Sequence, residues 1–157
     1  MTDGDVPANL FYAKNYYVII ISLYAFIGSL MNLIQLKKLF SRYAKIKLAY
    51  LFGSRAEGTA GPASDYDFAF YLNEKNGKKR FAIRLKLFAE LSKILKTDKI
   101  DVLILNDTDN CELKYNIVHD GKLLYSKEPY QIIVEPRIMN EYFDFRYTSR
   151  KYNLTKA

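Results

Sequence analysis

From Asn32 onward, apolar residues recur at helical spacing: Leu33, Leu36, Phe40 and Tyr43 share one stripe, with Lys37, Lys38 and Arg42 between them. That pattern predicts an amphipathic helix. Leu48-Ala49-Tyr50-Leu51-Phe52 is a short apolar run that stops at Gly53, and Tyr66 to Leu72 is a second one. Both are predicted strands, and the Gly/Pro-containing stretch from Gly53 to Ser64 joins them. A polar turn from Asn73 to Gly77 leads into a predicted helix carrying Phe81, Leu85, Phe88 and Leu95 on one stripe. Ile100-Asp101-Val102-Leu103-Ile104-Leu105 then reads as a third strand, central and buried were it not for its aspartate. Glu112 to His119 is a short helix, Asp120-Gly121 turns the chain, and Lys122 to Tyr125 is a fourth strand. A final helix starts at Pro136, a residue tolerated in a first helical turn, and carries Ile138, Met139, Tyr142, Phe143 and Phe145. Helices alternating with apolar strands argue an α/β (α+β) fold, a mixed sheet of four or five strands flanked by helices.

The first thirty residues are different. No charge falls between Asn15 and Leu36, and Tyr16 to Ile21 is densely apolar. Ser22, Gly28, Ser29, Asn32 and Gln35 dilute the stretch, so a membrane span is not expected. Asp3 and Asp5 replace the basic start that a secretory signal needs. The reading is an apolar arm over residues 1–30, followed by a single domain over 31–157. The arm either packs on that domain or on a second subunit, or is an extension upstream of a start at Met31.

At 157 residues the chain can bury one core without staples. Its single cysteine, Cys111, and single histidine, His119, exclude an internal disulfide and a Cys/His zinc cluster. Both facts fit a cytoplasmic protein. Twenty-four Lys and Arg against seventeen Asp and Glu give a net charge of +7, which favours anionic ligands. The densest basic run, Lys78-Lys79-Arg80, reads as a solvated helix start, and the fourteen tyrosines and ten phenylalanines read chiefly as core, so nucleic acid is not the expected partner.

The chemistry concentrates after the first strand. In Gly53-Ser54-Arg55-Ala56-Glu57-Gly58 a glycine lets a phosphate approach the backbone, and Ser54 adds a hydroxyl. Ten residues intervene between Ser54 and Asp65. Asp65 and Asp67 are then spaced so that a strand would project both carboxylates from one face. Two like charges held together make physical sense around a divalent cation, and hard oxygen ligands suit Mg2+. Asp101, inside an apolar strand, needs a partner or a metal, and beside the other two it completes a three-carboxylate cluster for two-metal phosphoryl chemistry. Glu57 reads as a solvated loop charge and His119 as a surface or cap residue.

Gly53-Ser54, the Asp65-x-Asp67 pair with Ser64 before it, and the later Asp101 together resemble the polymerase-β nucleotidyltransferase superfamily. The short length is similar to its minimal nucleotidyltransferase (MNT) group. The resemblance is specific over Leu48 to Leu72, continues through Leu105, is looser from Gly121 to Arg146, and does not cover the first thirty residues. It implies that Gly53 and Ser54 hold the β- and γ-phosphates of a nucleotide and that Asp65 and Asp67 bind two Mg2+ ions. It further implies that Asp101 binds the catalytic metal and helps activate an acceptor hydroxyl. Arg55 and Gly58 fall where that family's loop often has a basic residue and a second glycine, and Ser64 joins the nucleotide-binding set. The implied activity is transfer of AMP from ATP to a hydroxyl, a tyrosine of a small helical HEPN-type partner, with the chain acting as antitoxin. The alternative is a non-catalytic antitoxin that neutralises its partner by contact. A polymerase or tRNA-modifying enzyme would need further domains for which 157 residues leave no room. Two apolar surfaces, Tyr16 to Met31 and the Ile138/Tyr142/Phe145 stripe, predict a homo-oligomer or a complex with the partner.

Overall fold

The computed structural model describes residues 27, 30–61 and 63–152. The chain divides into two units between Gln35 and Leu36. Nearly all of the apolar arm lies outside the described residues. Among those described, no helix is long and apolar enough to cross a membrane.

A helix α1, residues 30–42, leads into strand β1, Ile46–Phe52. There follow the single-turn helix α2, Ser54–Glu57; strand β2, Tyr66–Leu72; helix α3, Gly77–Leu95; and strand β3, Ile100–Ile104. A 3-10 turn, Leu105–Asp107, precedes helix α4, Cys111–Asp120, strand β4, Lys122–Ser126, and helix α5, Tyr130–Lys151. The four strands form one mixed sheet in the order β3-β2-β1-β4. β1 pairs antiparallel with β2 and with β4, while β2 and β3 run parallel, joined by the crossover helix α3. The sequence-predicted strands are all present, and β1, paired on both sides, has its first five residues buried.

Each face of the sheet has its own core. On one face Phe68, Phe70 and Leu72 of β2 meet Leu36, Leu39 and Phe40 of α1 and Leu87 and Leu91 of α3. Phe40 and Phe70 meet edge to face with ring centroids 5.3 Å apart. Fully burying each such ring stabilises the fold by about 1.5–3 kcal/mol. On the other face Leu48, Tyr50 and Ala69 meet Ile117 of α4 and Val134 and Ile138 of α5. The Tyr50 hydroxyl, buried under α5, donates to Glu135 at 2.7 Å, and burial followed by that carboxylate pushes the phenol well above its ordinary range. Lys114 of α4 clamps Glu141 of α5 at 2.6 Å.

Four sequence expectations need correction. Phe81, Leu85 and Phe88 do not face the core; they are 56%, 54% and 39% exposed, and Leu87 and Leu91 are buried instead. Helix α3 has enough apolar residues for two stripes, and the position of the sheet decides which one is covered. Pro136 does not open α5: the helix begins at Tyr130, and Pro136 lies inside it. The earlier turn is held because Tyr130 packs on the second core and accepts a hydrogen bond from Asn73. Ile138 and Tyr142 are not available to a partner, since both are buried within their own domain, leaving Phe145 exposed on that stripe. Finally, β3 is an edge strand, not a central one.

Candidate active site

The antiparallel register of β1 and β2 sets Phe52 opposite Asp67, and the parallel register of β2 and β3 sets Asp67 opposite Asp101. These two pairings gather the end of β1, the start of β2 and the start of β3. Gly53 follows Phe52 with φ 67° and ψ −160°, a conformation essentially restricted to glycine. A Cβ at this position would collide with Oδ2 of Asp67. Gly53 therefore serves two needs at once: the turn out of the strand, and room for a carboxylate against the backbone. The Gly53 carbonyl accepts from Ala56 N at 2.9 Å and Glu57 N at 3.1 Å, closing the single turn that carries Ser54.

Asp67 is half-buried. Burial first, and then the neighbouring carboxylates of Asp101 and Asp65, raise its pKa above the ordinary carboxylate range, while Arg55 opposes them. Asp65 lies one residue before β2 begins, in the segment whose carbonyls Arg55 holds. Asp101 contradicts the expectation of a buried charge: its side chain is 63% exposed and stands 3.8 Å from Nη2 of Arg84. Among the described residues no group of three carboxylate, His or Cys side chains closes into a metal cage. The three aspartates are electrostatic neighbours, with Asp101 paired to Arg84 of α3.

The other sequence-predicted residues have mainly structural partners. Arg55 donates from Nε to the carbonyls of Ser64 at 3.1 Å and Asp65 at 3.0 Å, and from Nη2 to Ser64 O at 2.6 Å. Its guanidinium also stacks over the Tyr66 ring, 3.8 Å from the centroid. Arg55 is thus a clamp that ties the turn after β1 to the segment bearing Asp65 and Asp67. Ser64 Oγ accepts from Gly61 N at 3.0 Å and folds the loop on itself. Gly58 is a left-handed C-cap with open space around it, so it answers the helix end and no close approach. His119 is exposed, stacked on Tyr115 and 2.7 Å from Asp120, as a surface residue should be.

Arg55→Gln is expected to loosen the Asp65 segment. The melting temperature of the free chain should fall by a few degrees. An unchanged melting temperature would refute the clamp.

A cleft of about 230 Å3 opens beside Gly53, lined by Phe52, Glu57, Leu113, Asn116, Ile117 and Asp120. Asn116, inside the predicted helix, and Asp120, in the predicted turn after it, carry no site signal in the sequence, and it is the packing of α4 against β1 that brings them beside the glycine turn. A larger cavity, about 490 Å3, lies around Leu72 at the opposite end of β2 and contains none of the sequence-predicted site residues. The registers and the raised pKa of Asp67 make the Gly53 end the candidate site.

The family model described as polymerase beta, nucleotidyltransferase, matches residues 34–130. The chain belongs to this family. This polymerase-β nucleotidyltransferase domain is 33% identical over 98 residues to the protein adenylyltransferase MntA of Aphanizomenon flos-aquae (strain 2012/KM1/D3), a match covering 57% of this chain and 63% of that protein. Its fold is that of a solved complex of tri-AMPylated Shewanella oneidensis HEPN toxin with MNT antitoxin, with a TM-score of 0.59 and 20% identity over 78% of this chain and 92% of that one. A toxin–antitoxin crystal structure with AMP-PNP gives a TM-score of 0.61 and 22% identity over 77% of this chain and 92% of that one. These likenesses fix the architecture of the nucleotidyltransferase domain.

Proposed function

We propose that this chain is a metal-dependent nucleotidyltransferase that moves AMP from ATP to a tyrosine hydroxyl of a small helical HEPN-type partner and so acts as the antitoxin of that pair. The observation that carries the reading is the Asp67 carboxylate lying against Gly53 and in register with Asp101. It is supported by family membership, by the relative that is named a protein adenylyltransferase, and by the solved complexes whose partners are an AMPylated HEPN toxin and AMP-PNP.

The donor set fits Mg2+: all three groups offer hard oxygens, and Asp67 carries a charge that its surroundings penalise and a cation would relieve. Asp65, Asp67 and Asp101 would hold two such ions. When bound, they supply charge neutralisation on the phosphates and lower the proton affinity of the acceptor hydroxyl. The Gly53-Ser54 turn positions the β- and γ-phosphates. Asp101, exposed on an edge strand, receives the proton as the acceptor oxygen attacks the α-phosphorus. The bond to the β-phosphate breaks and pyrophosphate leaves. An exposed carboxylate suits an acceptor carried on another protein, since a macromolecule must reach it from solvent.

Two measurements test the reading. ATP with Mg2+ should raise the melting temperature, by an amount equivalent to about 2.7 kcal/mol when ligand stands at a hundred times its Kd, and EDTA should remove the gain. Incubation with a small helical HEPN-type protein, where an adjacent gene encodes one, together with labelled ATP should label that partner. Intact binding without label would favour neutralisation by contact.

A further inference from the structure

The exposed stripe of α3 does not stand alone. Phe81, Leu85 and Phe88 recur at i, i+4 and i+7, so they form one continuous apolar ridge. Where that ridge meets the open edge of β3, Phe81 and Arg84 enclose a groove of about 340 Å3 with Leu103 and Ile104. The same Arg84 reaches Asp101. Leu103 sits two residues along β3 from Asp101, roughly 7 Å away on the same face of the strand. A side chain seated in the groove therefore lies within a residue or two of the carboxylate that receives the acceptor's proton.

We propose that this edge, the α3 ridge with the β3 groove, is where the acceptor protein docks. The proposal rests on the transferase reading above for its acceptor, although the contact itself does not depend on the chemistry. Charge selects the occupant. Lys78 and Arg84 are exposed beside the ridge, and α3 carries six Lys and Arg against one acid, Glu90. A second copy of this chain, itself at +7, would bring the same basic rim against its own in a two-fold contact. The complementary surface is an apolar ridge bordered by carboxylates, one of which displaces Asp101 as the partner of Arg84. The acceptor hydroxyl is then a near neighbour of an apolar anchor residue. A partner held this way leaves the Gly53 turn open to ATP.

The test is the affinity of the full chain for its small helical neighbour, measured calorimetrically without nucleotide. Leu85→Asp and Arg84→Glu should each weaken binding at least tenfold, while Ile132→Asp, an equally exposed apolar position on α5, should leave it unchanged. The ATP and Mg2+ thermal shift is measured on every variant. A retained shift shows the nucleotide site intact, and its absence from wild type as well would overturn the transferase reading while leaving the affinities to decide the surface. Unchanged affinity of Leu85→Asp overturns the proposal, as does lost affinity of Ile132→Asp alone, or a wild-type chain that fails to bind the neighbour. Light scattering provides the remaining outcome: a wild-type dimer that Leu85→Asp converts to monomer would assign the face to a second copy and overturn the proposal equally.

Discussion

Asp67→Asn is expected to abolish AMP transfer and at the same time to make the ligand-free chain more stable. Asp67 is pushed above the ordinary carboxylate range by burial and by two neighbouring carboxylates. Its folded pKa is thus higher than its unfolded one, so the proton stabilises the folded state. That stabilisation is complete below the unfolded pKa and is lost as pH rises through the folded value, which leaves the ionised group a net burden at neutral pH. Asparagine keeps the shape and removes the charge. Because Asp67 is partly solvated, the gain is small, about 1 kcal/mol or less, a rise of roughly 2–4 °C for a domain of this size. The gain should shrink as the pH is lowered toward the carboxylate range, where wild type carries the proton itself. Transfer, by contrast, should fall by about a hundredfold or more, the scale on which removing one preorganised charge-stabilising group acts. Calorimetry of the free chain and labelling of the partner check the two halves. A variant less stable than wild type, or one that retains transfer within tenfold, would remove Asp67 from the role assigned to it.

Gly53→Ala should damage both properties. Its φ of 67° with ψ of −160° belongs to a region that side chains avoid at about 1–3 kcal/mol, and the added methyl would drive into the Asp67 carboxylate. Relief requires moving either the turn that bears Ser54 or the Asp67 carboxylate, and a displacement of about 1 Å costs on the order of a hundredfold in rate. The comparison that isolates this effect is Gly58→Ala, at φ 79° with nothing within 4 Å of its would-be Cβ. That variant suffers a backbone penalty of about 1 kcal/mol and should keep its transfer activity. Equal losses of activity in the two variants would mean that general destabilisation, and not the contact with Asp67, explains the Gly53 result.

The sequence alone determined the existence of strands β1, β2 and β3, because short apolar runs ended by glycine and polar residues have few alternatives to burial. It also determined the Gly53-Ser54 turn and the identity of the aspartates, since a charge inside an apolar run is conspicuous whatever surrounds it. It could not decide which strand lies at the edge: Ile100 to Leu105 looks central, yet the antiparallel β4 pairs with β1 and leaves β3 at the margin, so Asp101 faces solvent. Nor could periodicity choose between the two apolar stripes of α3, about 100° apart, one headed by Leu87 and Leu91 and the other by Phe81, Leu85 and Phe88. Arg55 shows the same limit. Its position beside a phosphate turn suggests a ligand contact, and only the folding of the Gly53 to Ser64 loop brings the Ser64 and Asp65 carbonyls and the Tyr66 ring within its reach. Local pattern reports what a residue must avoid, water or apolar surroundings. Which neighbour satisfies it depends on strand order and loop closure, and those are set by contacts between residues far apart in the chain.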